Sequence, residues 1–389
     1  MARPGKEQVN VKWVGHEEAR LRLASAVLGR RTAHAYLISG PEGIGKSAVA
    51  VEFACLLLCD NPQSEPCGTC SQCISLRTLH HPDLHIIAPS GSPKDSDSPG
   101  SEAFSKELAV LRKNLTVNPY STSDLAELSS SESKSARKKS ATGSKTRVAD
   151  SRELLHNAHL LPFQASRSVY LILNADAMLR EAQNRLLKLL EEPPATAVFV
   201  LTTSNLLAVL PTVRSRCQQV KLLAYTRTEI LNALVRSGVE PRAAELAAAL
   251  CGGNMRRAIS FAAMKPEVLE QTAVDFLAAS AVLAPEKVQE QVDKLLEDGT
   301  FIDEAFFELL TLFLSDAATS RTSSQIPHFP SQRERIAKLT ATYPNADFAK
   351  AVEAIDRAAM SRASGYTPAL VLTALAIELN RALGTRIRA

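Results

Sequence analysis

Short apolar runs separated by amphipathic stretches dominate the first half of the chain. Three such runs are Ala35–Ser39, Ser168–Leu173 and Ala197–Thr203, and His80–Pro89 resembles a fourth. Runs of this length, bounded by polar and turn-forming residues, are typical of buried strands. Because helical patterns fall between them, the sequence predicts a parallel, doubly wound sheet.

Amphipathic spacing predicts helices between these strands. Leu179–Glu192 places leucines along one face and ends at Pro193-Pro194, which cannot continue a helix. Val11–Gly29 and Asp150–Leu161 show the same apolar period and are also predicted as helices.

The pattern becomes almost entirely helical after residue 220. Thr226 and Glu229 have the spacing of a capping box in front of Ile230–Arg236, and Pro241–Leu250 supplies the next helix. From about residue 267 the chain is predicted to form a separate helical bundle. Its apolar stretches are Val274–Leu283, Phe301–Leu314, Phe348–Met360 and Pro368–Leu383. The predicted fold class is therefore α/β followed by all-α.

A change of character marks residues 90–147. This segment repeats Ser, Lys and Pro and cannot bury enough apolar surface to be ordered throughout, so it is predicted to be a largely disordered insertion. Glu102–Leu115 has helical spacing of apolar residues and predicts one helix inside it. The basic run at 134–139 is interpreted as solvated linker rather than as a nucleic-acid site.

Composition indicates an intracellular protein of two or three domains. The chain has 389 residues, of which 45% are apolar, enough to fill real cores. The net charge of +4, from 45 basic and 41 acidic residues, permits contact with nucleic acid without indicating it. Because no apolar run approaches the about 18 residues of a membrane span, and Met1–Asn10 lacks the apolar stretch of a signal peptide, we expect a cytoplasmic location and no membrane partner.

A complete phosphate-binding loop, GPEGIGKS, lies between the first predicted strand and a helix. It fits the pattern G-x-x-x-x-G-K-[ST], in which backbone amides cradle phosphate oxygens, the lysine reaches the β and γ phosphates, and the hydroxyl holds Mg²⁺. The predicted nucleotide-binding residues of this loop are Gly40, Gly43, Gly45, Lys46 and Ser47.

The strand that ought to supply the magnesium ligand does not. Leu173 and Asn174 stand where an NTPase needs an aspartate for the metal and a glutamate for water. Asp176, three residues beyond Leu173, falls past the predicted strand end and is not expected to replace them. The sequence predicts binding of ATP or ADP with weak or absent Mg²⁺ dependence and without hydrolysis.

Four cysteines fall in one short stretch with the spacing C-x7-C-x2-C-x2-C. Closely spaced thiolates suit tetrahedral Zn²⁺, and a site closed by four thiolates is structural rather than catalytic. The predicted zinc ligands are Cys59, Cys67, Cys70 and Cys73. Unliganded or redox-active thiols are the alternative. Cys55, Cys217 and Cys251 are expected to be small buried apolar residues.

Taken together, four motifs in this order resemble those of bacterial clamp-loader AAA+ subunits of DNA polymerase III. They are the phosphate loop, the cysteine cluster, LLKLLEEPP at Leu186–Pro194 and SRC at Ser215–Cys217. The resemblance covers residues 10–89 and 148–265, and the missing acidic pair favours the delta-prime branch over the gamma/tau motors. It implies an AAA+ P-loop parallel-sheet domain at 1–223 with a zinc knob at 59–73, a small helical lid domain at 224–265 and a helical collar for oligomerisation at 266–389.

The resemblance also implies roles for residues outside the loop. Arg216 matches the arginine finger that enters the nucleotide site of an adjacent subunit, for which a permanently charged guanidinium is suited. The alternative is a surface arginine that caps a helix or strand end. Arg256 matches the sensor-2 arginine, with Arg257 as the choice if the register slips, and Thr203 or Ser204 matches the first sensor.

The expected function follows from these roles. The chain is expected to complete a neighbour's ATP site in the replicative polymerase III assembly and to help load the sliding clamp on primed DNA, with gamma/tau and delta subunits as partners and no intrinsic ATPase activity. One alternative is an active gamma/tau-like ATPase motor that uses Lys46, Ser47 and Asp176. Another is a nucleotide-regulated adaptor outside replication.

Overall fold

The computed structural model describes residues 15–89, 102–117, 120, 158–263, 266–297, 304–322, 329 and 332–384. The chain divides into two compact units. One contains Asn10–Glu229 and Gly253–Arg256, and the other contains Ile230–Gly252 and Arg257–Ala389. We call them the sheet unit and the helical unit.

A single five-stranded parallel sheet organises the sheet unit, with strand order β2-β3-β4-β1-β5. The strands are β1 (Ala35–Ser39), β2 (Leu84–Ile87), β3 (Ser168–Ile172), β4 (Ala197–Thr203) and β5 (Gln218–Lys221). Every residue of β1, β3 and β4 is buried, as the continuous apolar runs predict for strands covered on both faces. The predicted α/β class of this half is confirmed.

The edge strand β5 was not expected. Of its four residues, Gln218, Gln219 and Lys221 are exposed and only Val220 is buried. It nevertheless pairs with β1 from Tyr36↔Gln218 onward. A strand at the edge of a sheet needs no apolar run, so the hydrophobic pattern missed it.

Helices connect and cover the strands of the sheet unit. They are α1 (Glu17–Leu28), α2 (Lys46–Leu58), α3 (Ser71–Leu76), α4 (Glu102–Val117), α5 (Arg180–Glu191) and α6 (Pro211–Arg214). The predicted helices at 179–192 and 102–115 are confirmed as α5 and α4. The helix predicted from Val11 begins at Glu17 among the described residues, and most of Asp150–Leu161 lies outside them, as does the rest of the 90–147 insertion apart from α4 and residue 120.

The core of the sheet unit lies between α5 and one face of the sheet. Leu186, Leu189 and Leu190 on α5 pack in one buried cluster with Tyr170 on β3 and Phe199 on β4. Tyr170 and Phe199 stack with ring centroids 5.3 Å apart. The leucine-rich run of the sequence is thus the apolar face that holds α5 on the strands.

The helical unit confirms the all-α prediction for the second half. Its helices are α7 (Arg227–Arg236, which begins in the sheet unit), α8 (Pro241–Leu250), α9 (Met255–Ala263), α10 (Pro266–Val282), α11 (Pro285–Glu297), α12 (Glu304–Ser320), α13 (Arg333–Thr342), α14 (Phe348–Ala363) and α15 (Pro368–Leu383). The Tyr343 hydroxyl and the Asn380 amide both donate to the Ala281 carbonyl, at 2.8 and 2.9 Å, and tie the end of α10 to its neighbours. The finer division at 224–265 and 266–389 remains a prediction.

Among the described residues, every helix is too short or too polar to cross a lipid bilayer.

Candidate nucleotide and metal sites

The phosphate loop joins the end of β1 to the start of α2. Gly43 and Gly45 adopt positive φ angles of 70° and 86°, which favour glycine. A Cβ atom on Gly43 would lie 1.9 Å from the side-chain oxygen of Asn254, and one on Gly40 would lie 2.5 Å from the Leu222 carbonyl oxygen. Glycine is therefore required at position 40 by close packing on backbone, and it is favoured at positions 43 and 45 by backbone conformation.

Lys46 and Ser47 open α2, where backbone N–H groups point out of the helix and favour an anion. The Lys46 ammonium donates to the Pro41 carbonyl oxygen at 2.6 Å, inside the loop. Burial lowers the pKa of Lys46 to about 8, against the opposing charges of Asp176 and Glu42. An incoming phosphate would supply the negative charge that this desolvated ammonium lacks.

The end of β3 offers no carboxylate at the expected metal position. Leu173 is fully buried, and its backbone N–H donates to the Ile87 carbonyl at 2.8 Å. Asn174 adopts a left-handed conformation with φ of 52°, and its backbone N–H donates to the Thr202 hydroxyl at 2.9 Å. Leu173 thus belongs to the core, and the chain turns sharply at Asn174.

Asp176 lies in the short 3₁₀ turn Ala175–Ala177 that follows. One of its carboxylate oxygens accepts from the Ser204 backbone N–H at 3.3 Å, and its charge acts to raise the pKa of Lys46. The carboxylate is therefore near enough to Lys46 to act on its charge, although Asp176 lies beyond the strand end and its hydrogen bond is to the segment after β4. It is the one acidic group that β3 and its turn bring to this edge of the sheet within the described residues.

The candidate first-sensor residues follow β4. Thr203 is buried, its hydroxyl accepts from the Asn205 N–H at 3.1 Å, and its carbonyl accepts from the Gly40 N–H at 3.3 Å. Thr203 therefore joins β4 directly to the phosphate loop. Ser204 is exposed and contacts Asp176 through its backbone.

Two adjacent arginines follow Asn254 and point to different partners. The Arg256 backbone N–H donates to the Gly43 carbonyl at 3.1 Å, and its guanidinium pairs with Glu42 in the loop. Arg257 pairs instead with Glu308 in the helical unit. Of the two sensor-2 candidates, Arg256 is the one that lies at the phosphate loop.

Arg216 lies just after α6 and is about one-third exposed. Its guanidinium pairs with Glu191 at 2.8 Å and donates to the Thr212 carbonyl at 3.1 Å. Within one chain it therefore caps α6 and meets the carboxyl end of α5. This partial exposure leaves the guanidinium accessible to another molecule.

The four clustered cysteines converge at one point. Their sulfur atoms all lie within 4.8 Å of one another, with Cys59 to Cys70 at 4.0 Å and Cys67 to Cys73 at 3.9 Å. A tetrahedral ion with Zn–S bonds of about 2.3 Å separates its sulfurs by about 3.8 Å. All seven cysteines of the chain are free thiols, so these four are available as ligands.

Backbone amides around the cluster favour thiolates. N–H groups of Thr69 and then Cys70 point at the Cys67 sulfur and lower its pKa to about 6, whereas burial raises the pKa values of Cys59 and Cys73. A bound cation would offset that burial cost, because a coordinated thiol ionises. The donor set and the geometry fit a structural metal ion.

A polar network that the sequence analysis missed ties the cysteine cluster to β3. Gln72, between Cys70 and Cys73, contacts the His81 ring at 2.6 Å, and the other nitrogen of that ring accepts from the Asp83 N–H. The buried Asp83 carboxylate accepts backbone N–H groups of residues 163, 164 and 165 at 2.5, 2.8 and 2.7 Å. The carboxylate therefore holds the segment that enters β3. In the sequence, the polar residues His81 and Asp83 directly before the apolar run of β2 were the signal that could have indicated this network.

A second missed group braces the phosphate loop from the side. The His16 ring nitrogen Nε2 lies 2.9 Å from the Ile44 carbonyl oxygen, and the ring packs on Tyr225 at 4.7 Å. The Tyr225 N–H donates to the Gly253 carbonyl at 3.1 Å. Nothing in the local pattern singles out these residues, because they meet only in the folded chain.

A parallel sheet with this loop at the carboxyl end of β1 defines an α/β domain of the P-loop class. The profile of the family described as "DNA polymerase III, delta subunit" matches residues 15–226, more than half of the chain, and the chain belongs to that family. The resemblance to the clamp-loader subunits of DNA polymerase III is thus confirmed at the level of the family.

Proteins similar in sequence to this chain are named as subunits of DNA polymerase III. The DNA polymerase III subunit tau of Salmonella typhimurium is 29% identical over 267 residues, 67% of this chain and 33% of that protein. The DNA polymerase III subunit delta' of Bacillus subtilis is 28% identical over 220 residues, 56% of this chain and 50% of that protein. A solved gamma-subunit-related protein of Thermotoga maritima is similar over 95% of this chain and 100% of that chain, at 17% identity and a TM-score of 0.42. The chain spans a third to a half of the length of the first two relatives.

Replacement of Asp83 tests the polar network. Burial raises the pKa of Asp83, but hydrogen bonds from residues 165, 163 and 164 outweigh it and hold the pKa below its usual 3.8. Asp83→Asn should lower the free energy of unfolding by roughly 1.5–3 kcal/mol, because the amide cannot accept all three N–H groups. Since the folded-state pKa is depressed, this stabilisation is full above the unfolded pKa and is lost as the pH falls through the folded value.

Urea denaturation at pH 7 and at steps down to pH 3 would measure both effects. The difference in the free energy of unfolding between wild type and Asp83→Asn should be constant near neutral pH and should become smaller below about pH 4. The exposed Asp356→Asn serves as the control and should change stability by less than about 0.5 kcal/mol. An Asp83→Asn protein as stable as wild type at pH 7 would show that the Asp83 carboxylate does not stabilise the fold through residues 163–165.

Proposed function

We propose that the chain is a clamp-loader subunit of bacterial DNA polymerase III that binds ATP or ADP and does not hydrolyse it. The observation that carries this proposal is the combination of a complete phosphate loop with a fully buried Leu173 at the metal-ligand position. Binding needs the loop amides and Lys46, which are present. Hydrolysis also needs a carboxylate-held Mg²⁺ and an oriented water.

Membership of the DNA polymerase III delta family supports the assembly role. In this proposal the chain acts in the cytoplasm beside gamma/tau and delta subunits, and the assembled ring opens a sliding clamp on primed DNA. Its branch is delta-prime, because the acidic pair that a motor needs is replaced by Leu173 and Asn174.

The proposal gives Arg216 to a neighbouring subunit. Its side chain is about one-third exposed and, among the described residues, contacts a half-exposed carboxylate, Glu191, and the Thr212 carbonyl. A surface pair of this kind is worth about 0–1 kcal/mol, so exchange of Glu191 for a phosphate costs little. The guanidinium is thus suited to act as a trans arginine finger.

The cysteine cluster is assigned a structural Zn²⁺. Four sulfurs near 4 Å apart at a closed site match tetrahedral thiolate coordination and leave no position for a substrate. The ion would organise the knob from which Gln72 reaches toward His81 and Asp83.

An active gamma/tau-like motor is the second candidate. The observation in its favour is Asp176, whose negative charge acts to raise the pKa of Lys46. That carboxylate already accepts a hydrogen bond from the Ser204 N–H. No group at the end of β3 replaces the water-orienting glutamate within the described residues, so we favour the non-hydrolysing subunit.

Lys46→Ala tests the nucleotide site. The wild-type chain should bind ADP or ATP and show no hydrolysis above background with or without Mg²⁺. Lys46→Ala should weaken binding by about 10- to 100-fold, because a charge-assisted contact to phosphate is lost. Calorimetric titration and a phosphate-release assay measure the two properties, with the exposed Lys350→Ala as control. Magnesium-dependent turnover by the wild type that Lys46→Ala abolishes would establish the motor instead.

Arg216→Ala tests the trans role and should show its effect only in an assembly. Alone, the variant should keep its fold, metal content and nucleotide affinity. In a reconstituted loader with gamma/tau and delta subunits, the ATP site that Arg216 completes should lose roughly 10³–10⁵ in rate. Clamp- and DNA-stimulated ATPase measures this, and Arg214→Ala, two residues away, is the matched control. Equal rates for intact assemblies of wild type and Arg216→Ala would identify a surface capping residue.

Cys70→Ser tests the metal. Chelator-free wild-type protein should contain one Zn²⁺ per chain by elemental analysis, and Cys70→Ser should lose it together with stability of the sheet unit, because structural zinc binding contributes folding free energy. Cys251→Ala, a buried cysteine outside the cluster, should retain the full zinc content. Metal-free wild-type protein that is as stable as zinc-supplemented protein would refute this assignment.

A further inference from the structure

The inserted segment of residues 90–147 contributes buried residues to the sheet unit. Leu111 and Leu115 on α4 are 0% and 6% exposed, and Tyr120 just beyond the helix is 1% exposed. A side chain as large as tyrosine reaches that burial only when other residues surround it. This part of the insertion is therefore packed into the unit that carries the phosphate loop.

Tyr120 packs against Tyr225. The two rings meet edge to face, with centroids 6.2 Å apart and planes at 74°, an arrangement that aromatic pairs favour. Tyr225 is itself 5% exposed. Burial, and then the charge and side-chain hydrogen bond of Tyr120, raise the pKa of Tyr225, so the Tyr225 hydroxyl is protonated at neutral pH.

Tyr225 leads from Tyr120 to the phosphate loop by two routes. Its ring packs on His16 at 4.7 Å, and His16 Nε2 lies 2.9 Å from the Ile44 carbonyl oxygen. Because a carbonyl can only accept, Nε2 carries the proton and donates. By the second route, the Tyr225 backbone N–H donates to the Gly253 carbonyl, which lies three residues before Arg256 at the phosphate loop.

The space around Tyr225 is closed on the loop side. A Cβ atom on Gly15 would lie 2.4 Å from its ring, and one on Gly253 would lie 2.8 Å from its carbonyl oxygen. The ring of Tyr225 therefore packs closely on Gly15, and its backbone packs closely on Gly253. His16 and Tyr120 both contact the same ring.

We propose that Tyr120 is a positioning residue for nucleotide binding, which holds Tyr225 against His16 and thereby fixes the Ile44 carbonyl within the phosphate loop. On this view Tyr120, a described residue of the 90–147 insertion, contributes to the nucleotide site through Tyr225. The expected effect of Tyr120 on nucleotide affinity rests on the proposed nucleotide-binding function. Its expected effect on the positions of Tyr225 and His16 is independent of that function.

The charge state of His16 agrees with this arrangement. Burial lowers the pKa of His16, against the Ile44 carbonyl and the carboxylate of Glu229, so the ring is neutral at physiological pH and donates from Nε2 alone. The other groups around this cluster are the Tyr225 and Tyr120 hydroxyls and, more remotely, the Arg20 guanidinium.

The test compares three variants of the full chain with wild type. Tyr120→Ala removes the ring, Tyr120→Phe keeps the edge-to-face contact without the hydroxyl, and Tyr343→Ala removes a buried tyrosine from the helical unit as the matched control. Affinity for a fluorescent ADP analogue should fall about tenfold in Tyr120→Ala and stay within about twofold in the other two. Circular dichroism verifies that each variant is folded.

A second measurement separates the inference from the proposed function. NMR titration of the histidine rings, assigned with His16→Gln, reports the His16 pKa without nucleotide. In Tyr120→Ala it should rise toward 6.5 as water reaches the ring, and in Tyr120→Phe it should stay near the wild-type value. If Tyr120→Ala is unfolded, Tyr120→Leu takes its place, because it keeps apolar volume and loses the ring.

The outcomes are distinct. Unchanged affinity and an unchanged His16 pKa in folded Tyr120→Ala would overturn the inference, and so would tighter binding, which would show that Tyr120 obstructs the site. If wild-type protein binds no nucleotide, the proposed function fails, and the His16 pKa alone decides whether Tyr120 positions the loop.

Discussion

The parallel register of β1 between β4 and β5 is the constraint on which the rest of the sheet unit depends. Ser39, the last residue of β1, pairs with Thr203 on one side and with Lys221 on the other. Because these strands end together, the phosphate loop and the turn after β4 emerge at one edge. Backbone bonds from Gly40 to Thr203 and from Leu222 to Ser39 then fix that edge.

At this edge, packing and catalysis make opposite demands on the end of β3. A fully buried leucine at position 173 extends the apolar packing of β3 by one residue. The left-handed conformation of Asn174 then turns the chain away from the strand direction. A metal-binding carboxylate there would have to be solvated or paired, since an isolated buried charge is costly. The chain thus combines the complete sequence of a phosphate-binding loop with a β3 end that belongs to the hydrophobic core.

Features set by neighbouring residues could be predicted from the sequence, and features set by distant ones could not. The loop from Gly40 to Ser47 and the leucine face of α5 follow from spacing alone. Contacts such as Asn254 against Gly43, or Tyr120 against Tyr225, join positions far apart in the chain. Strand β5 was missed because it carries one buried residue, and the docking of Tyr120 because it lies in a polar segment.

Asp83 joins two parts of the sheet unit through different groups. Its carboxylate accepts the backbone N–H groups of residues 163–165, and its own backbone N–H donates to the His81 ring, which contacts Gln72 inside the cysteine cluster. If a metal at the cysteines favours the ordered state of residues 163–165, then ordering of those residues raises the affinity for the metal by the same factor. At the proposed metal site, the apparent affinity of the four cysteines would therefore depend on the order of residues 163–165, which lie far from them in the sequence.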